Sequence, residues 1–251
     1  MTVHRLVIAP EQNNNGQIIL TPEQKHYLYR VLRLKVGDRF IAIDAVGGVW
    51  NACIMDGHAQ ITDKIVETNE LSLTVTLIAA LPKGNGFDDV VRACTELGVG
   101  RILPIVSQRT LLKPSDNKLE RWRKIVTEAA EQAERQIIPK IAAPTDLTAA
   151  IAALSPESDR FFCVARGNPP HLLDCLLQKP ILDRASDSLG YREIVIAIGS
   201  EGGWTEAEII EATAGGFQCV SLGKRVLRAI TAPIAAISLI AGVLDCRRDW
   251  G

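Results

Sequence analysis

The stretch Glu193-Ile194-Val195-Ile196-Ala197-Ile198-Gly199-Ser200-Glu201-Gly202-Gly203-Trp204-Thr205 decides how the second half of this chain folds. A short apolar run leads into a turn of three glycines. Thr205 with Glu208 then makes a Ser/Thr-x-x-Glu capping box, which opens a helix ending at Gly215-Gly216. A second joint of the same kind follows, where Phe217 to Val220 leads into Ser221-Leu222-Gly223-Lys224-Arg225-Val226-Leu227-Arg228. Strand, glycine loop and helix in that order put both loops at the C-terminal ends of strands, where open α/β sheets bind ligands. Lys224, Arg225 and Arg228 add positive charge to the second loop. A guanidinium beside bare backbone suits a substrate that develops negative charge.

Working outward, Leu71 to Ala80 is apolar on both faces and reads as a buried strand of a parallel sheet. An α/β domain is expected to begin there and run over 71–251. Its further elements are a helix over Asp88 to Leu97 stopped by Gly98, and a strand over Ile102 to Val106. A long helix follows from Leu119 to Ile138, stopped by Pro139, then a strand over Phe161 to Ala165. A helix near His171 to Gln178 precedes a polar stretch at 183–190, and Thr231 with Pro233 in the first turn opens a last helix to about Cys246.

Residues 1–70 have a different pattern. Thr21, Pro22 and Gln24 form a capping box for a helix expected over 21–35, with His26, Arg30 and Arg33 on one face and Leu28, Val31 and Leu32 opposite. Arg39 to Asp44 and Trp50 to Met55 alternate around Gly47-Gly48 as a hairpin, with Ile61 to Glu67 behind them. The expectation is a small β-barrel carrying one basic helix.

The chain has 251 residues, 47% of them hydrophobic and 23% charged, an ordinary balance for a globular protein. No apolar run approaches the ~20 residues of a membrane helix, and Met1 to Leu6 shows no secretory pattern. A cytoplasmic protein without a membrane partner is expected. Its six cysteines form no Cys-x-x-Cys pair and its four histidines are scattered, so no metal site is expected. A net charge of -1 argues against indiscriminate coating of nucleic acid. Local excess matters more: residues 101–140 hold nine Lys and Arg against five acids, and residues 223–248 hold five against one. Such segments line a phosphate-facing cleft or are merely solvated.

Two common readings fail on spacing. Gly199-x-x-Gly202-Gly203 is not Gly-x-Gly-x-x-Gly, and Gly223-Lys224 lacks the upstream glycine and following hydroxyl residue of a phosphate loop. No Gly-x-Ser-x-Gly elbow marks a hydrolase. Ile198 to Thr205 and Ser221 to Ala232 instead closely resemble the paired C-terminal motifs of the ribosomal RNA small subunit methyltransferase E family, a branch of the SPOUT methyltransferases. The segments Cys94 to Val99, Arg121 to Ile125, Glu128 to Arg135 with Ile138-Pro139, and His26 to Asp38 are similar as well, so the likeness covers nearly the whole chain.

The resemblance implies an α/β fold: a SPOUT-type parallel-sheet domain with a C-terminal trefoil knot, preceded by a PUA-like β-barrel. It also implies a homodimer and S-adenosylmethionine as methyl donor. The implied reaction is methylation of N3 of a uridine in 16S ribosomal RNA, on free RNA or the assembled small subunit. By analogy the donor pocket takes Val164, Ala165, Ile198, Gly199, Glu201, Gly202, Gly203, Leu222, Gly223, Arg225 and Leu227. Arg228 is the expected principal catalytic residue, stabilising the uracil anion, with a dimer or phosphate contact as its alternative role. Glu201, also a catalytic candidate, is open to three roles: binding a donor hydroxyl, orienting Arg228, or capping the next helix. RNA recognition is expected from His26, Arg30 and Arg33 with Arg109, Lys113, Arg121 and Lys124.

Two departures from the family pattern stand beside the glycine loops. Ser200 occupies the place of a usual proline, and Ile230 that of a common glutamate. Isoleucine accepts no proton, so either that glutamate is not the essential base or the chain is impaired. The rival readings are therefore an assembly protein that kept the fold without turnover, and a related enzyme acting on a ribose hydroxyl or on transfer RNA.

Overall fold

The computed structural model describes residues 4–44, 47–66, 69–110, 116–178 and 193–246. Lys113 and the polar stretch at 183–190 lie outside the described residues. The chain divides into two compact units, residues 1–70 with 130–138 and residues 71–129 with 139–251.

In the first unit, β1 (Arg5–Val7), β2 (Asn13–Asn14), β3 (Gln17–Ile18), β4 (Arg39–Ile43), β5 (Val49–Ile54) and β6 (Ala59–Lys64) form one sheet. Its strand order is β1-β4-β5-β6-β3-β2, antiparallel except between β1 and β4. The hairpin between β4 and β5 turns at the expected glycines, where Gly48 N donates to Asp44 Oδ1 at 2.7 Å. Inward alternation supplies the core: Leu6, Ile18, Leu28, Phe40, Ala52 and Ile54 are all buried.

The helix after β3 starts as expected and ends early. In α1 (Pro22–His26), Gln24 N donates to Thr21 Oγ1 at 3.2 Å and Thr21 N to Gln24 Oε1 at 2.9 Å, closing the capping box. From Tyr27 the coil widens, with Leu32 N reaching Tyr27 O at 2.9 Å, and Arg33 turns left-handed at φ 58°. That turn lets Leu34 N reach Leu28 O at 2.9 Å, so the chain is capped while Leu28 stays buried. Arg33 therefore lies beyond the helix rather than on a helical face with His26 and Arg30.

The second unit comprises β7 (Thr74–Ala80), α2 (Phe87–Glu96), β8 (Arg101–Ile105), α3 (Asp116–Gln132), β9 (Lys140–Ile141), α4 (Leu147–Ala152), β10 (Asp159–Cys163), α5 (Leu172–Gln178), β11 (Glu193–Ile198), α6 (Glu206–Ala214), β12 (Gln218–Val220) and α7 (Thr231–Cys246), the last turn of α3 belonging to the first unit. The strands are all parallel in the order β12-β10-β11-β7-β8-β9. One face of this sheet packs Ile78, Leu103, Phe162, Val195 and Ala197 against Leu147 and Ala150 of α4 and Ala212 of α6. On the other, α7 lies against β7 and β11 and packs with α2 and α5. Burial on both faces explains why Leu77–Ala80 of β7 and Ile194–Ile198 of β11 are continuous apolar runs rather than alternating.

The long helix also ends before the sequence suggests. Apolar spacing through Ala129, Ala133 and Ile137 predicts continuation to Pro139, yet α3 stops at Gln132 and Glu134 takes φ 57°. A buried carboxylate captures the backbone beyond. Glu70 accepts Gln136 N at 2.8 Å and Ile137 N at 3.0 Å, and it also accepts Arg135 Nη2 at 2.6 Å. Arg135 is only 5% exposed, so its charge is held by this pairing within the first unit.

Candidate active site

Because β12, β10 and β11 are adjacent and parallel, the segments that follow them emerge side by side at one edge of the sheet. These segments are the three expected loops, 164–166, 199–203 and 222–227, the last followed by Arg228. Backbone bonds tie the first to the third: Val164 N donates to Val220 O at 3.0 Å, Ser221 N to Pro170 O at 2.9 Å, and Leu172 N to Ser221 O at 2.9 Å. Trp204 ties the second to the first, its Nε1 donating to Cys163 O at 3.0 Å while its ring stacks on Phe162 with centroids 4.4 Å apart. A Cβ on Gly199 would stand 3.2 Å from Trp204 Cε2, so glycine is what admits this aromatic plug.

Gly223 has φ 109°, a conformation strained for any other residue. His171 faces it, with Nε2 3.9 Å from where a Gly223 Cβ would be, and Leu173 N donates to His171 Nδ1 at 3.2 Å. Ile198 is buried; Val164, Leu222 and Leu227 are half-buried; Ala165, Glu201, Gly202, Arg225 and Arg228 are exposed. The loops thus bring together bare backbone, partly covered aliphatic side chains and open cationic groups. Among the described residues, the Arg228 guanidinium has no hydrogen-bond or ion-pair partner, while its carbonyl accepts Thr231 N and Ala232 N at 2.9 Å. Its backbone is fixed at the start of α7 and its charge is unspent.

Glu201 Oε1 accepts Lys83 N at 3.0 Å, linking the glycine loop to the segment between β7 and α2. It does not cap α6, because Thr205 does: Glu208 N donates to Thr205 Oγ1 at 3.3 Å and Thr205 N to Glu208 Oε2 at 2.8 Å. Glu208 is 2% exposed and its Oε1 also accepts Gln108 N at 2.9 Å, so one carboxylate closes the cap and anchors the segment after β8. From that segment Arg109 Nη1 donates to Gly202 O at 2.7 Å. The guanidinium expected on an RNA face thus also holds the glycine loop. These latches through Lys83, Gln108 and Arg109 were not anticipated from sequence, since each pairs residues far apart in the chain.

The remaining RNA candidates are placed separately in the two units. In the first, His26, Arg30 and Arg33 are exposed. In the second, Lys124 is exposed, and Arg121 Nε pairs with Asp88 Oδ2 at 2.8 Å, beside the Trp122 Nε1 bond to Asp88 Oδ1 at 3.0 Å. Among the described residues no three His, Cys, Asp or Glu side chains cluster as metal ligands, and no helix is long and apolar enough to cross a membrane.

Comparisons with known proteins agree on one family. Residues 69–241 match the model of an RNA methyltransferase domain and residues 20–63 that of an RNA methyltransferase PUA domain. The chain is 50% identical over 246 residues to ribosomal RNA small subunit methyltransferase E of Synechocystis sp., covering 96% of this chain and 78% of the relative. It is 29% identical to the enzyme of the same name from Bacillus subtilis, with 88% of each chain covered. Among solved structures, the ribosomal RNA small subunit methyltransferase E of Neisseria gonorrhoeae bound to S-adenosyl methionine superposes with a TM-score of 0.78 at 27% identity, covering 96% of this chain and 98% of that one. With its parallel sheet, its PUA domain and three loops gathered at one sheet edge, the chain belongs to the ribosomal RNA small subunit methyltransferase E family.

Proposed function

We propose that this protein methylates N3 of a uridine in 16S ribosomal RNA, using S-adenosylmethionine bound among the loops 164–166, 198–203 and 222–227. The observation that carries the reading is the convergence of these loops at the ends of three adjacent parallel strands, with the Arg228 guanidinium at their margin and unpartnered among the described residues.

The residues present suit such a donor. Gly203 and Gly223 leave backbone uncovered, Gly199 and Gly202 admit Trp204 and Arg109 close to the loop, and Val164, Ile198, Leu222 and Leu227 give aliphatic surface for a purine. Glu201, already held by Lys83 N, and exposed Arg225 supply polar contacts at the rim. When bound, S-adenosylmethionine supplies a methyl group activated by its sulfonium. The protein's task is then alignment of N3 and support of the charge that N3 deprotonation spreads onto O2 and O4. Arg228 takes that second role through charge-assisted hydrogen bonds, which are stronger than neutral ones. Since N3 lies on the pairing edge, the uridine must be unpaired or flipped out.

His26, Arg30, Arg33, Arg109, Lys113, Arg121 and Lys124 are proposed to contact the RNA backbone, giving binding that weakens with salt. The two-domain division at residue 70, the trefoil knot, the homodimer and a cytoplasmic location complete the proposal. The apolar groove lined by Leu173, Leu177, Leu239, Gly242 and Val243 between α5 and α7 is a surface that a second copy would cover. Donor titration followed by methyl transfer to undermethylated small subunits, and separately to free 16S RNA, tests the reading. Donor binding with 3-methyluridine formed in either supports it; donor binding with transfer to neither favours the assembly-protein alternative.

A further inference from the structure

The Ser200 hydroxyl is an exception to the satisfied polar groups around it. Ser200 is 7% exposed, and among the described residues its Oγ has no hydrogen-bond partner. Its backbone is engaged, with Gly203 N donating to Ser200 O at 2.9 Å across the glycine turn. A buried hydroxyl without a partner carries a desolvation penalty, so such groups in native proteins call for an explanation.

Its place follows from the strand before it. Val195 and Ala197 belong to the cluster with Trp204 and the helices α4 and α6, and a Cβ on Gly199 would also meet Trp204. With a period of two, Ile196 and Ile198 take the opposite face, where α7 lies against β11, and Ser200 follows two residues beyond the strand's end. The 221–230 segment leads from β12 into α7, the helix that lies on that face. The orphan hydroxyl thus sits on the glycine loop itself, between Gly199 and Glu201 of the expected donor site.

We infer that Ser200 Oγ hydrogen-bonds a polar atom of the bound methyl donor, making Ser200 a donor-binding residue in addition to the backbone of its neighbours. The inference rests on the donor site proposed above. Its physical content is that ligand binding satisfies a group that the free protein leaves unsatisfied, so the hydroxyl contributes to affinity and not to the stability of the free fold.

The test is calorimetric titration of S-adenosylmethionine into the wild type, Ser200→Ala and Ser200→Cys, with thermal unfolding of each protein in the absence of ligand. Removal of the hydroxyl is expected to weaken binding by about tenfold, the scale of one hydrogen bond, while the ligand-free unfolding midpoint stays level or rises. Ser200→Cys, with a weaker donor, falls between the two in affinity. Affinity unchanged in Ser200→Ala overturns the inference and leaves the donor site standing. A lowered ligand-free midpoint also overturns it, because the hydroxyl is then bonded within the protein. Failure of the wild type to bind S-adenosylmethionine overturns the proposed function and this inference with it.

Discussion

Ile230 Cδ1 stands 2.4 Å from the point where a Cβ on Gly86 would be, so the side chain just before α7 is seated on the glycine just before α2. Position 230 is therefore a packing position in this chain, half-buried against the segment that follows β7.

A glutamate placed there would give up the packing on Gly86 and set a charge against the segment after β7. Ile230→Glu is expected to lower stability by about 1–3 kcal/mol through burial of an unpaired carboxylate, without raising methyl transfer. Chemical denaturation and a transfer assay check both parts. A gain of about tenfold or more in transfer, the low end of what a positioned base supplies, would instead make the position catalytic.

Arg228 is expected to act on the reaction more than on the donor. Arg228→Ala should lower the transfer rate about 100-fold or more while leaving donor affinity within a few-fold, the signature of charge stabilised only in the transition state. Single-turnover rates and donor titration separate the two. Equal loss of both would recast Arg228 as a binding residue.

Gly223 is required by its backbone rather than by crowding, since its φ is 109° and the nearest atom to an added Cβ is His171 Nε2 at 3.9 Å. Gly223→Ala should cost about 1–3 kcal/mol of backbone strain and weaken donor binding by deforming the second loop. Gly47, with φ 108° and no atom within 4 Å of an added Cβ, is the matched control in the other unit. Gly47→Ala should carry similar strain and bind donor normally; equal effects on binding would remove the 222–227 loop from the site.

The pairing of Glu70 with Arg135 is expected to dominate the first unit's response to mutation. Glu70→Ala strands a buried guanidinium and frees Gln136 N and Ile137 N, for a loss of about 3–5 kcal/mol measured by denaturant unfolding. A loss under about 1 kcal/mol, the scale of a surface pair, would contradict the buried-pair account.

Where the sequence was legible, local rules agreed with tertiary ones. Both capping boxes formed at Thr21 and Thr205, the strand at Glu193–Ile198 has the anticipated bounds, and the two glycine loops follow the strands on either side of β10, whose own loop 164–166 only the family resemblance implied. Legibility failed where a distant residue overrode a local preference. Nothing near Gln132 announces the end of α3; its cause is Glu70, which takes the backbone N–H groups that further helix would use. Arg33 continues an amphipathic count but serves a left-handed cap. The strands Asn13–Asn14, Gln17–Ile18 and Lys140–Ile141 are too short to show a period. Within the site, Arg109 read as free basic charge, and only its bond to Gly202 O reveals a structural task. Ser200 read only as a departure from a usual proline, and its burial is what reveals the unpartnered hydroxyl.

Base methylation of ribosomal RNA is tested by transfer of labelled methyl from S-adenosylmethionine to small subunits lacking the modification, with mass-spectrometric identification of the nucleoside formed. The expected product is 3-methyluridine, formed over many turnovers by the wild type with isoleucine at position 230. Methyl recovered on a ribose hydroxyl, or donor binding with no methylated nucleoside at all, would contradict it.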